Sequence, residues 1–127
     1  MVIVTIMAPM RFRELEECLQ QLDGFEEPKI RLEQYSTSAH IGAHVLHTAY
    51  THFDDIGGKA IAHLGAGCGV LSLGARLLGT SHVVGFEIDA DALSMLKSNC
   101  LELETDVEAV HCDPSCDESA FWLKTQC

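Results

Sequence analysis

Residues 62–74, AHLGAGCGVLSLG, constrain the fold of this chain more than any other stretch. An apolar run leads into three alternating glycines, Gly65, Gly67 and Gly69, and an apolar repeat of helical spacing follows. Such glycines let the backbone bend sharply and approach a ligand closely. The spacing G-x-G-x-G lacks the later third glycine of dinucleotide sites, so it favours a nucleoside with a neutral or zwitterionic arm over a pyrophosphate. A tight structural turn without a ligand is the alternative.

Apolar periodicity predicts two helices ahead of the glycines. The first lies in residues 11–25 and stops at Asp23-Gly24, and the second lies in residues 40–53. The expected apolar faces are Phe12, Leu15, Leu19 and Leu22 in the first helix and Ile41, Val45, Leu46 and Ala49 in the second.

The pattern then alternates between strands and helices. Residues 59–64 (KAIAHL) predict a buried strand, residues 70–79 a helix and residues 82–88 a second strand. A helix over residues 89–103 begins with an acidic N-cap, and a third strand takes residues 107–112. The predicted fold class is α/β, the N-terminal half of a Rossmann-like fold: two helices, then β-α-β-α-β, with a parallel sheet.

Composition limits the function classes. The 127 residues, 47% of them hydrophobic, suit one globular domain. No apolar run approaches the about 20 residues that cross a bilayer, so no membrane partner is expected. A net charge of −11 repels phosphate backbones, so the composition does not indicate a basic surface for binding nucleic acid. The six cysteines are expected to be reduced, and His111, Cys112 and Cys116 are too few for a structural zinc site, so no metal is predicted.

Acidic residues lie at the carboxyl ends of the second and third predicted strands. Glu87 comes 18 residues after Gly69, where a carboxylate can accept both hydroxyls of a ribose. Asp89 fits the N-cap of the next helix better than a ligand role. Asp113 can accept a hydrogen bond from an adenine amino group, with Pro114 shaping the turn, and a plain polar turn is the alternative. Ligands of open α/β sheets bind outside the carboxyl ends of the strands, where these acids lie.

These elements, with LEQYST at residues 32–37 ahead of them, resemble S-adenosylmethionine-dependent methyltransferases, and within them the small-subunit ribosomal RNA adenine N6-methyltransferases. The resemblance runs from about Arg11 to Pro114 through LEECLQQLDGFEEPKIRLEQYST, DDIGGKAIAHLGAGCGVLSLG, VGFEIDADAL and HCD. It implies a class I methyltransferase fold and the cofactor S-adenosyl-L-methionine. The expected organisation is an extension over 1–10, a partial methyltransferase domain over 11–114 and a divergent tail over 115–127.

The same resemblance implies cofactor-binding roles for eight residues. Gln34 and Thr37 would hold the methionine arm, Gly65, Cys68 and Val70 would line the floor, Glu87 would take the ribose, and Asp113 with Pro114 would flank the adenine. A loop surface position for Gln34 and a buried apolar role for Cys68 are the alternatives. Implied partners are ribosomal RNA and a small zinc-containing activator subunit that forms a heterodimer through an apolar sheet edge. The implied location is the nucleus and the cytoplasm.

The chain departs from the family in two places. His63 stands where the family has an aspartate, and the loss of a charge-assisted hydrogen bond costs about 1.5–3 kcal/mol, or about 10- to 150-fold in affinity. The catalytic Asn-Pro-Pro-aromatic motif is absent, because the only asparagine is Asn99 and the residue after it is Cys100. We therefore expect a C-terminally truncated form that is inactive alone, with an open edge on the strand at 59–64. The alternatives are a non-catalytic module that binds the activator and a nucleotide-binding domain of another kind.

Overall fold

The structure is a computed structural model that describes residues 10–24, 29–32, 34 and 37–113. Pro114, most of the predicted extension and the predicted tail lie outside the described residues. The elements, in chain order, are α1 (Phe12–Gln20), a short 3₁₀ turn (Ile30–Leu32), α2 (Ala39–Thr51), β1 (Ala60–Leu64), α3 (Val70–Leu77), β2 (His82–Glu87), α4 (Ala90–Glu102) and β3 (Glu108–His111). In the part of the chain described, no helix is long and apolar enough to span a membrane.

The three strands form one parallel sheet in the order β1-β2-β3. Ala62 pairs with Val84 and Phe86 pairs with Val110, so the carboxyl ends of the strands meet at one edge. The predicted α/β class, the two leading helices and the β-α-β-α-β order are confirmed. Among the described residues β1 pairs only with β2, which leaves the other edge of β1 open.

The core forms where α1, α2 and α3 meet the sheet. Leu15 and Leu19 of α1 pack with Ala43 and Leu46 of α2 and with Val83 of β2. A second cluster joins the glycine loop to α3 and α4 through Ala66, Leu73 and Leu96. Burial of these side chains, at about 25 cal/mol per Å² of apolar surface, drives the helices onto the sheet.

The predicted apolar face of α2 is wrong in part. Ile41 and Val45 are 59% and 53% exposed, whereas Gly42 and Ala43 are buried beside Leu46. A Cβ atom at Gly42 would lie 3.2 Å from Cγ1 of Val70, so small residues let α2 approach α3 closely. The prediction used hydrophobic periodicity alone. It therefore assigned the large side chains to the core, although the small ones allow the close contact with α3.

The prediction of a buried β1 is also wrong. Ala60, Ala62 and Leu64 are exposed, while Ile61 and His63 are half-buried. This alternation arises because, in the part of the chain that is described, only one face of β1 is covered. Ile61 packs against the main core on that face. An apolar run alone does not distinguish a strand covered on one face from a strand covered on both.

Two glycines with nearly the same φ allow the effect of backbone strain on stability to be distinguished from the effect of packing. Gly69 and Gly79 have φ values of +93° and +92°, so alanine is strained equally at both. A Cβ atom at Gly69 would lie 2.6 Å from Cδ1 of Leu73 and 3.0 Å from Cγ of Leu96, whereas at Gly79 nothing lies within 4 Å. We expect Gly79→Ala to lower the free energy of unfolding by about 1–2 kcal/mol, and Gly69→Ala by about 1–3 kcal/mol more. Urea unfolding measures both, and equal losses would contradict the packing argument.

Candidate functional site

The glycine loop between β1 and α3 is fastened to the end of β2. The backbone N–H groups of Gly65 and Ala66 both donate to the carbonyl of Phe86, at 2.8 and 3.0 Å. Gly65 and Gly67 have positive φ values of 74° and 56°, which an L-residue rarely adopts. A Cβ atom at Gly65 would meet nothing within 4 Å. The loop backbone therefore borders open space.

Glu87, the last residue of β2, anchors the loops on both sides of it. One carboxylate oxygen, Oε2, accepts the backbone N–H of Gly67 at 2.7 Å, and Oε1 accepts that of Asp89 at 3.1 Å. The side chain is only 6% exposed. Each carboxylate oxygen has a second lone pair, so Glu87 can still accept hydrogen bonds from a ligand.

Asp89 is the N-cap of α4, as the sequence predicts, and it also holds the segment before α2. Its carboxylate accepts hydrogen bonds from the Asp91 backbone at 3.1 Å, from Nζ of Lys29 at 2.6 Å and from Nε2 of Gln34 at 2.6 Å. The Lys29 hydrogen bond is the main cause that holds the pKa of Asp89 below its ordinary value. The bonds from Gln34 and Asp91 act in the same direction, against the effect of burial.

Six of the eight predicted site residues line one cavity of about 440 Å³. They are Gln34, Thr37, Gly65, Cys68, Val70 and Glu87. Asp113 follows β3 and is not among the lining residues, and Pro114 lies outside the described residues. The cavity thus combines the glycine loop, the end of β2 and the segment before α2.

Gln34 and Cys68 each have a defined environment beside the cavity. The Oε1 atom of Gln34 accepts the Lys29 backbone N–H at 2.9 Å, so both ends of this amide are bonded and Gln34 is not a free surface group. Cys68 is buried, and burial, with the charges of Glu87 and Asp89, raises the pKa of its thiol to about 11. The thiol is therefore neutral near pH 7 and forms a small apolar surface.

His63 lies at the cavity wall and bonds to α3. Its Nδ1 atom is 2.6 Å from the hydroxyl oxygen of Ser72, which is fully buried. Burial lowers the pKa of His63, and the charge of Glu87 opposes this only in part. The imidazole is therefore neutral at pH 7.

Sequence reasoning missed two residues that bond to the segments around the cavity, Lys29 and Asn99. Asn99 is a polar residue on the buried stripe of α4, three positions after Leu96, and that position was the available signal. Lys29 gives no such signal, because its partner Asp89 lies 60 positions away.

Of the alternative zinc ligands, His111 and Cys112 lie in the part of the chain that the structure describes. The Nε2 atom of His111 lies 2.8 Å from the carbonyl of Ile88, and Cys116 lies outside the described residues. Within residues 10–24, 29–32, 34 and 37–113, no group of three or more His, Cys, Asp and Glu side chains could hold a metal ion.

A glycine loop after the first strand, an acid at the end of the second strand and a cavity between them are the arrangement of the N-terminal half of a class I methyltransferase fold. The family model described as ribosomal protein L11 methyltransferase (PrmA) matches residues 35–117. The chain therefore belongs to this methyltransferase family.

The similarity to ribosomal RNA adenine N6-methyltransferases predicted from sequence is confirmed by curated relatives. The rRNA N(6)-adenosine-methyltransferase METTL5 of Danio rerio is 54% identical over 105 residues, which cover 82% of this chain and 51% of the relative. The corresponding Drosophila melanogaster protein is 47% identical over 108 residues, which cover 84% and 51%. The chain spans about half the length of these relatives.

A solved structure has the same fold. PH1948 from Pyrococcus horikoshii, a candidate RNA methyltransferase, superposes with a TM-score of 0.73 at 41% sequence identity. The match covers 80% of this chain and 50% of PH1948.

The His63 environment predicts a pH-dependent stability. The folded-state pKa lies below the value of 6.5 in the unfolded chain, so the unfolded chain binds the proton more readily. This contribution to stability is fully present above pH 6.5 and is lost as the pH falls through the folded-state pKa. We expect His63→Gln to flatten the fall in unfolding free energy between pH 7.5 and pH 5.5.

Urea unfolding in steps across this range measures the slope. His52→Gln, at the exposed end of α2, is the control for replacing a histidine and should retain the wild-type slope. A His63→Gln slope parallel to that of the wild type would contradict the prediction.

Proposed function

We propose that this chain is the S-adenosylmethionine-binding part of a ribosomal RNA adenine N6-methyltransferase, an enzyme that methylates the N6 amine of an adenosine in small-subunit rRNA. The observation that carries the proposal is the buried Glu87 carboxylate, which lines the cavity beside the glycine loop and retains lone pairs for a ribose. The relatives named as rRNA N(6)-adenosine-methyltransferases support the reaction class. The proposed domain spans residues 11–114, and its proposed location is the nucleus and the cytoplasm.

The residues of the cavity fit such a cofactor. Its volume of about 440 Å³ lies in the range of about 300–1,000 Å³ that is usual for small-molecule sites. The open space beside Gly65 allows a ligand to reach the backbone without meeting a side chain. The donors and acceptors are also suitable, because a carboxylate accepts from hydroxyl groups and amide or hydroxyl groups bond to an amino-acid arm.

Each residue has a separate task in this proposal. Glu87 accepts the ribose hydroxyls and fixes the sugar in the loop. Gln34 retains one N–H, and Thr37 has its hydroxyl, for the methionine arm. Cys68 and Val70 form an apolar floor. When bound, the cofactor supplies an electrophilic methyl group on a cationic sulfur.

Electrostatics favour a cationic ligand in this cavity. The Glu87 carboxylate contributes a negative charge, and the neutral Cys68 thiol and His63 imidazole contribute none. Because burial lowers the pKa of His63, the imidazole places no positive charge near the ligand at pH 7. A neutral histidine still attracts the amino group of the arm less than the aspartate it replaces would.

A second candidate function is a non-catalytic module that binds the zinc-containing activator subunit. The open edge of β1 in the described part of the chain favours it, together with Leu64, which is 56% exposed. Unpaired strand edges and exposed apolar side chains are typical of surfaces that take a partner.

Calorimetric titration with S-adenosylhomocysteine tests the cofactor site. We expect saturable binding by the wild type and a loss of at least about tenfold in affinity for Glu87→Gln, because a charged acceptor for the ribose is lost. Glu102→Gln, at the exposed end of α4, is the matched control and should bind as the wild type does.

His63→Asp extends the same titration, with S-adenosylmethionine as ligand. It should bind about 10- to 150-fold more tightly than the wild type, because a carboxylate forms a charge-assisted hydrogen bond with the amino group. His63→Asn is the uncharged control. If neither the wild type nor His63→Asp binds, the cofactor proposal is wrong.

Methyl transfer distinguishes the two functions. We expect the purified chain, mixed with the activator subunit, an RNA hairpin and radiolabelled S-adenosylmethionine, to transfer no methyl group above background, because it lacks the residues that position the adenine. A METTL5 relative such as the Danio rerio enzyme serves as the positive control. Binding of the activator without transfer supports the interaction module, whereas transfer above background would overturn the expected inactivity.

A further inference from the structure

Asn99 of α4 is a buried amide with three hydrogen bonds to backbone. Its Nδ2 atom donates to the carbonyl of Asp23 at 3.0 Å and to the carbonyl of Cys68 at 2.9 Å. Its Oδ1 atom accepts the backbone N–H of Asp23 at 3.0 Å. The residue is 1% exposed, so water does not replace these bonds. Both amide N–H groups and the amide oxygen are thus engaged by the protein.

The two segments that Asn99 joins are separate parts of the cavity lining. Asp23 follows α1 and contributes to one wall, and Cys68 belongs to the glycine loop. They are 45 positions apart, and neither lies in a helix or strand that would fix it. The paired bonds to both the N–H and the C=O of Asp23 set the orientation of that peptide group as well as its distance.

We propose that Asn99 is a positioning residue that sets the spacing between the α1 wall and the glycine loop, and thereby the affinity of the cavity for a nucleoside ligand. The proposal rests on the proposed function, since the ligand is the adenosyl cofactor. Asn99 does not line the cavity and acts through Asp23 and Cys68.

The geometry makes asparagine hard to replace. Aspartate has the same shape and can still accept from Asp23, but it places a carboxylate oxygen against two carbonyl oxygens. Alanine leaves all three backbone groups without their partner, and an unpaired buried polar group is costly. Leu96, on the same stripe of α4, is fully buried, so the surroundings offer little polar compensation.

A merely structural role gives a different result from a positioning role. If Asn99 only contributes to stability, its loss raises hydrogen exchange throughout the fold, and any variant of equal stability behaves in the same way. If it positions the walls, exchange rises locally, at the amides of Asp23, Gly67 and Gly69, and ligand affinity falls more than stability explains.

The experiment compares Asn99→Ala and Asn99→Asp with Leu15→Ala. Leu15 of α1 is fully buried in the main core and does not line the cavity, so its variant is the control for general destabilisation. S-adenosylhomocysteine affinity is measured by calorimetry at a temperature where circular dichroism shows each protein folded. Hydrogen exchange is followed by mass spectrometry in peptides that cover residues 20–24, 64–70 and 82–87.

We expect both Asn99 variants to bind S-adenosylhomocysteine at least about tenfold more weakly than the wild type, and Leu15→Ala to stay within about threefold of it. Exchange should rise in 20–24 and 64–70 for Asn99→Ala and stay unchanged in 82–87. Asn99→Asp should retain more protection at Asp23, whose N–H keeps an acceptor. If Asn99→Ala does not fold, the affinity and the exchange of the isosteric variant Asn99→Asp test the positioning role.

Equal loss of affinity in Asn99 and Leu15 variants, or a uniform rise in exchange, would overturn the positioning role. If neither the wild type nor His63→Asp binds the cofactor, the proposed function fails separately. In that case the hydrogen-exchange pattern still tests the positioning role of Asn99. A rise confined to residues 20–24 and 64–70 supports this role, and a uniform rise contradicts it.

Discussion

The Glu87 carboxylate, at the end of the central strand, accepts backbone N–H groups from the loops on both sides of it. Because the parallel register brings the ends of β1 and β2 to one edge, the glycine loop reaches this carboxylate as soon as β1 ends. Without an acceptor there, two N–H groups at a largely buried position would be unpaired, each at a cost of about 1–3 kcal/mol. The conformation of the glycine loop and the start of α4 therefore depend on one acidic side chain.

The remaining walls of the cavity are joined to this centre by contacts between distant parts of the chain. Asp89, next to the centre, binds Lys29 and Gln34, and Asn99 binds Asp23. The contact of Lys29 with Asp91 adds little, because Asp91 is exposed and such pairs contribute about 0–1 kcal/mol. The Asp89 carboxylate and the Asn99 amide matter more, since both side chains are almost fully buried.

Local pattern predicted the order of helices and strands, the N-cap at Asp89 and the glycine loop, because each depends on residues close together in sequence. It failed for α2, where Gly42 and Ala43 face the core and Ile41 and Val45 do not. That choice is made by the surface of α1 and α3, which accepts a small side chain at close approach. The sequence of α2 alone does not specify the shape of the helices that pack against it.

The sequence by itself determined that a parallel α/β unit would present glycines and an acid at the carboxyl ends of its strands, since period, turn residues and strand order are local. The tertiary structure alone decided that Gln34 would be bonded at both ends of its amide. It also decided that His63 would bond to Ser72 and lose basicity, and that Asn99 would join two walls. These outcomes depend on burial and on partners from other segments, because the energy of a polar group is set by the neighbours that replace its water.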